Sequence, residues 1–160
     1  MFRPMRRYKQ ALTQTECAAV LQRGTSGVLA LSGDGGYPYA VPLSYVYQDG
    51  ALYFHCAKSG HNAIARCPKA SFCVIDQDRI VPQEYTTYFR SVIAFGTVRV
   101  LEEETEKRAA IQALAAKYAP RENPASQQAA IDREWAALCM LELSISHMTG
   151  KQAIELTKDN

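Results

Sequence analysis

The spacing of apolar and polar positions changes period several times along the chain. Residues 13–24, "TQTECAAVLQRG", place Cys17, Val20 and Leu21 on one helical face. Thr13 and Glu16 have capping-box spacing and Gly24 fits a C-terminal stop, so a first helix is predicted there. Alternation of period two follows. "SGVLALS" runs into Gly33-Asp34-Gly35-Gly36, "YPYAVPLSYVY" into Gln48-Asp49-Gly50, and "ALYFHCA" comes next, which together predict an antiparallel meander. Pro38 and Pro42 each delete an N–H from the second strand, which is therefore expected at an edge or bulged near Pro42.

Further on, "HNAIARCP" predicts a short helix that stops before Pro68, "ASFCVID" a strand, and "YFRSVIAFGTVRVL" a long strand broken by Gly96. "EEETEKRAAIQALAAKYAP" predicts a helix with an acidic start that suits the helix dipole, and Ile111, Leu114, Ala115 and Tyr118 share one face. After a Pro- and Gln-containing link, "AAIDREWAAL" reads as helical. "CMLELSISHM" alternates as a last strand ahead of a "TGK" turn. Five or six strands with helices between and after them suggest one small barrel carrying peripheral helices, spanning residues 1–160. Residues 1–10 form a basic arm and 152–160 a polar tail.

Composition narrows the function classes. Against 16 acidic side chains stand 18 basic ones, a net charge of +2, which speaks against a nucleic-acid or membrane-surface binder. The local excess is Arg3, Arg6, Arg7 and Lys9 in the arm. That arm lacks the apolar centre of a secretory signal, and no later apolar run is long enough to cross a bilayer. It reads as a solvated terminus, the alternative being an arm folded over a neighbouring subunit or an anionic ligand. The cysteines, 5 in number, have no C-x-x-C pair and lie in apolar periodic segments. Buried thiols in a reducing cytoplasm fit that pattern better than disulfides, so a cytoplasmic location is expected.

Adjacent His55 and Cys56 point to opposite faces of a strand and cannot easily share an ion, and no H-E-x-x-H motif exists, so no structural metal is expected. Haem needs only one histidine. There is no G-x-S-x-G elbow, and "GDGG" is a turn rather than a nucleotide cradle. The stretch "LYFHCAKSGHN" is more informative. Ala57-Lys58-Ser59-Gly60 form a tight turn into a helix N-terminus, where free N–H groups favour an anion such as phosphate. Lys58 adds charge, and Ser59 and Asn62 add directional hydrogen bonds. A capped helix with a solvated lysine explains the spacing equally well. The neighbouring strand "YPYAVPLSYVY" adds ladder groups left unpaired by its prolines, suited to the edge of a flat heterocycle. Tyr39, Tyr45, Tyr47 and Phe54 follow a core pattern. Together, turn and strand suit a phosphorylated planar cofactor.

"GYPYAVPLSYVYQDGALYFHCAKSGHNAIARCPKASFCV", then "YFRSVIAFG", then "TGK", in that order from about Arg6 to Lys151, resemble the pyridoxamine 5'-phosphate oxidase-like flavin-binding split barrels, in the branch containing the nitroimidazole-resistance proteins. The resemblance implies a mainly β fold with peripheral helices, a six-stranded antiparallel split β-barrel of the FMN-binding type, paired as a homodimer with FMN at the subunit interface. It implies that Pro42, Leu43 and Tyr45 line the flavin ring and that His55, Cys56 and Ala57 flank ring and ribityl chain. Lys58, Ser59, His61 and Asn62 would surround the phosphate. Arg90, Ser91, Val92, Thr149, Gly150 and Lys151 would lie nearby, from the second subunit.

The family usually shows a lysine where Asn62 stands. Loss of one charge-assisted bond costs about 1.5–3 kcal/mol, so weak FMN occupancy is expected. The implied activity moves electrons from reduced nicotinamide, NADH or NADPH, through FMN to a small acceptor such as a nitro-aromatic or quinone, with His55 the candidate for proton delivery. Vitamin B6 oxidation fits less well, because "TGKQAIELTKDN" lacks an arginine-rich motif for a second phosphate. Two other readings are a non-enzymatic haem- or flavin-binding carrier or sensor, with His55 or His147 on haem, and an interaction protein with a vestigial site.

Overall fold

Strand alternation closes the chain on itself. In a computed structural model, which describes residues 2–56, 64 and 67–157, the strands are β1 (Ala11–Leu12), β2 (Ser26–Ser32), β3 (Pro38–Gln48), β4 (Ala51–Cys56), β5 (Lys69–Val81), β6 (Thr86–Val100) and β7 (Cys139–Gln152). They form one antiparallel sheet in the order β1-β7-β4-β3-β2-β5-β6, and pairing of β6 with β7 closes it into a barrel. The described strands number seven rather than the expected six. The extra one is β1, two residues that pair with β7 at Lys151 and Gly150, beyond the point where β4 begins opposite Ser144.

Inward positions of the strands meet in one core. Tyr45, Phe54, Phe72, Leu29, Leu52, Val74, Val92 and Leu143 are fully buried there. Helix α1 (Gln14–Arg23) seals one end with Cys17, Val20 and Leu21, started by the expected capping box between Thr13 and Glu16. Gly24 does cap α1, but at φ −63° it is not left-handed. What requires glycine is space: a Cβ would stand 2.5 Å from the Tyr45 hydroxyl. Helices α2 (Glu104–Tyr118) and α3 (Pro124–Glu134) lie outside the barrel and bury Leu101, Ala110, Leu138 and Met140 in a second cluster.

Two expectations about the late strands are corrected. Gly96 does not break β6, which runs on through it with a register shift between Phe95 and Gly96. A Cβ at Gly96 would meet the Ser144 carbonyl at 2.0 Å, so the glycine serves close strand approach at a bulge. "TGK" is not a turn but the end of β7, because Thr149, Gly150 and Lys151 pair with Ile93, Val92 and Ser91. Of the predicted helix "HNAIARCP", only Ile64 and the final Cys67 and Pro68 fall within the described residues, and Ile64 is buried in the main core.

Candidate functional site

The barrel splits between β3 and β4. The hairpin turns on Asp49 and Gly50, both at positive φ, and pairs Gln48 with Ala51 through Tyr45 with Phe54. Beyond that point the two strands part. β3 continues along β2 from Ser44↔Ser26 to Pro38↔Ser32, while β4 continues along β7 to His55↔Met140 and Cys56↔Cys139. Pro42 and Leu43 therefore line one lip of the split, and His55 and Cys56 the other.

Backbone direction explains the prolines. The N–H and C=O of Tyr45 face the β2 side, where the Tyr118 hydroxyl takes both, at 2.9 and 3.0 Å. Successive residues of a strand direct these groups to opposite sides. Leu43 and Val41 then face β2, while Ser44, Pro42, Ala40 and Pro38 face the split. Both prolines thus lack an N–H only on the side with no ladder partner, and the expected edge position near Pro42 holds for this half of the strand, without a bulge in its pairing to β2. The C=O groups of Pro42 and Ala40 and the N–H groups of Ala40 and Ser44 are offered to whatever enters the split.

Side chains at the split differ in reach. His55 is exposed and Leu43 half-buried, whereas Tyr45 is wholly inside the core and donates its hydroxyl to the Leu21 carbonyl at 2.8 Å. Burial raises the Tyr45 phenol above its ordinary value. The Cys56 thiol lies 3.4 Å from that of Cys139 across the strand pair. Burial, then this contact, pushes Cys56 up to about 12. Ala57, Lys58, Ser59, His61 and Asn62, the predicted phosphate turn, lie outside the described residues.

The remaining predicted residues form a second group. Arg90, Ser91 and Val92 of β6 pair directly with Gln152, Lys151 and Gly150 of β7. Val92 and Gly150 face inward, and a Cβ on Gly150 would meet the Cys17 Sγ at 2.5 Å. Arg90 bonds Gln152 at 3.1 Å and Asp76 at 3.4 Å, and Lys151 sits 5.2 Å from the Phe89 ring. Gly150 is eleven residues beyond Cys139 on β7, about 36 Å of strand contour. The His55–Cys56 lip and this second group therefore lie towards opposite ends of β7.

A family model described as pyridoxamine 5'-phosphate oxidase matches residues 13–152. The chain belongs to that family. No curated protein matches it in sequence. Among solved structures, it is similar to a candidate 5-nitroimidazole antibiotic resistance protein from Bacteroides thetaiotaomicron, at 20% identity and TM-score 0.73 over 89% of this chain and 86% of that one. It is similar to an FAD-binding protein from Mesorhizobium loti, at 23% identity and TM-score 0.67 over 90% and 97%. An FAD and heme binding protein from Mycobacterium smegmatis shares 24% identity and TM-score 0.72 over 91% and 73%. These likenesses establish the split-barrel fold of the family.

Within that family fold, α2 supplies two residues that sequence reasoning placed only on a helix face or not at all. Besides bonding Tyr45, the Tyr118 hydroxyl reaches the Thr25 carbonyl. Lys117 donates to the Gly24 carbonyl and stands 4.3 Å from the Tyr45 ring, and its burial lowers its pKa. Together they replace the missing continuation of β2 behind the split. Periodicity flagged Tyr118 as apolar; only its register opposite Tyr45 shows that the hydroxyl matters.

Proposed function

We propose that this chain is a flavoprotein that holds FMN at the split and serves as an oxidoreductase for a small electron acceptor. The observation that carries the reading is the split itself: two strand lips with outward backbone donors and acceptors, led by Pro42 and Ser44 on one side and His55 on the other. Flat heterocycles with alternating N–H and C=O edges match such a backbone row. The flavin-binding neighbours of the same fold support the cofactor class.

When bound, FMN would supply hydride and electron transfer between reduced nicotinamide and an acceptor such as a nitro-aromatic or quinone. The chain's own part is orientation and proton supply. Backbone groups of Ala40, Pro42 and Ser44 fix a ring edge, Leu43 and Cys56 exclude water beside it, and exposed His55 delivers a proton to the acceptor. Lys58, Ser59, His61 and Asn62 are assigned to the phosphate on sequence alone.

A second copy of the chain completes this reading. Pro42, Val28, Cys73, Ile93 and Thr149 form one cross-strand row on the outer face of the barrel. Along it Val28 is 40% and Ile93 37% exposed, and nearby Ile75 is 67% exposed. A two-fold partner laid on this apolar face brings its own Arg90–Val92 and Thr149–Lys151 group towards the split.

The test is an absorption spectrum of purified protein, repeated during titration with FMN, with the oligomer mass read by light scattering. Saturable two-band flavin uptake by a dimer, followed by NADH- or NADPH-dependent reduction of a nitro-aromatic, is the expected result. A Soret band instead would assign haem, with His55 or His147 as its ligand. Absence of any uptake would end the flavoprotein reading.

A further inference from the structure

Two cysteines meet at one lip of the split. Cys56 ends β4 and Cys139 begins β7, directly opposite one another in the antiparallel pair. The kind of opposition follows from hydrogen bonds further along the ladder. Ile145 N–H donates to the Gly50 carbonyl at 3.1 Å, while Leu101 N–H donates to the Met140 carbonyl at 2.9 Å. Odd-numbered residues of β7 from Cys139 to Ile145 therefore direct their backbone groups to β4, and even-numbered ones to β6. Cys56 and Cys139 are thus a hydrogen-bonded pair, with Cα atoms about 5.5 Å apart. Disulfides usually span about 4.4–6.8 Å between Cα atoms, most often about 5.5–6 Å.

Side-chain placement agrees with the backbone. Directly opposed residues share a face of the sheet, here the inner one, where Cys139 belongs to the main core and Cys56 packs against it. The two sulfurs are 3.4 Å apart, with the Cys56 thiol donating to Cys139. Reaching a bond length of about 2.05 Å brings them closer by about 1.4 Å, which side-chain rotation can supply. Cys139 is 3% exposed, whereas Cys56 is half-buried and is the sulfur that a small oxidant reaches. The second sulfur stands in contact before any oxidation occurs.

We propose that Cys56 and Cys139 are an oxidisable dithiol, which a hydroperoxide converts to a disulfide tying the end of β4 to β7 and a small thiol restores. In the first step the Cys56 sulfur attacks hydrogen peroxide and the O–O bond breaks. Cys56 becomes a sulfenic acid and the peroxide is reduced to one water. In the second step the Cys139 sulfur attacks the Cys56 sulfur, the S–O bond breaks, and the oxygen leaves as a second water with the Cys139 proton. Two thiols and one peroxide thus give one disulfide and two waters. Burial of Cys56 makes the first step slow, and the sulfur contact makes the second fast, so the sulfenic acid is consumed before it meets another peroxide. Reduction enters at the half-buried Cys56 sulfur and consumes two equivalents of a small thiol, themselves joined as a disulfide. The bond pins the lip that carries His55.

The experiment is overnight exposure of the purified chain to millimolar hydrogen peroxide, then alkylation in denaturant and peptide mass mapping without reductant. A peptide joining Cys56 to Cys139 is expected in most molecules, with sulfinic acid at either position in fewer than about one in ten. Hydrogen exchange at the Cys56 amide, which faces Cys139, should slow about tenfold on oxidation and recover with dithiothreitol. Cys56→Ser should abolish the joined peptide, and Cys73→Ser, on the outer face of the barrel, should leave it. A joined peptide through any other cysteine would overturn the proposal. So would sulfinic acid in place of the bond, both thiols left intact, or a bond that leaves exchange at Cys56 unchanged. None of these readouts depends on bound flavin, so failure of the flavoprotein reading leaves them standing.

Discussion

The hydroxyl of Tyr118 accepts the backbone N–H of Tyr45 at 2.9 Å and lies 3.0 Å from its carbonyl, standing where a further residue of β2 would otherwise pair. A helix side chain thereby finishes a strand ladder behind the split. Replacing Tyr118 with Phe keeps the ring and removes only the hydroxyl. The position is 41% exposed, so water can partly substitute, and the loss should be about 1 kcal/mol in urea unfolding. Hydrogen exchange at the Tyr45 amide should accelerate more than exchange elsewhere in β3, and an unchanged rate there would remove Tyr118 from this role.

The two prolines of β3 give a sharper test of strand direction. Pro42→Ala restores an N–H that faces the split and has no ladder partner, so stability should change little. Val41→Pro removes an N–H that faces β2, where Val41 is opposite Leu29. That change should cost about 1–3 kcal/mol through the lost bond and the stranded carbonyl. Thermal unfolding of both variants decides the matter. Similar losses in the two would show that the assigned directions are wrong.

This asymmetry marks where the sequence stopped being legible. Local chemistry was readable: the Thr13/Glu16 box started α1, Asp49-Gly50 made the β3–β4 turn, and the prolines signalled an edge. What is non-local was not. Whether Gly24 and Gly96 end an element or admit a neighbour depends on Tyr45 and Ser144, far away in sequence. "TGK" reads as a turn by composition, but pairing with β6 overrides that preference and holds it extended. The predicted site was legible as two lists of residues, whereas their placement at distant points of β7 required the register.

Acid stability should carry the signature of Asp76. Its carboxylate accepts two bonds of 2.6 Å from Arg23 and a longer one from Arg90, at the bulge between Ile75 and Gln77. The Arg23 guanidinium holds Asp76 below the usual carboxylate range. A group with a depressed folded value stabilises fully above its unfolded pKa of about 3.9 and loses that contribution as pH falls through the folded value. Arg23 is 49% exposed, so screening limits the pair to about 1 kcal/mol. Asp76→Asn should lower stability by that amount at pH 7 and match the parent near pH 2. A constant difference across the whole range would show that packing, not charge, is responsible.

Thiol chemistry at the split should be slow despite the nearness of Cys56 and Cys139. Nucleophilic attack needs the thiolate, and burial with the 3.4 Å contact pushes Cys56 up to about 12. At pH 8 the thiolate form of Cys56 would be far scarcer than that of an ordinary thiol. Iodoacetamide at pH 8 should therefore leave Cys56 unmodified in the folded protein over hours, by peptide mass mapping, and modify it rapidly in denaturant. Rapid labelling of the native chain would mean that the end of β4 opens. The lip formed by His55 and Cys56 would then be too loose to hold a planar ring against Pro42 and Leu43.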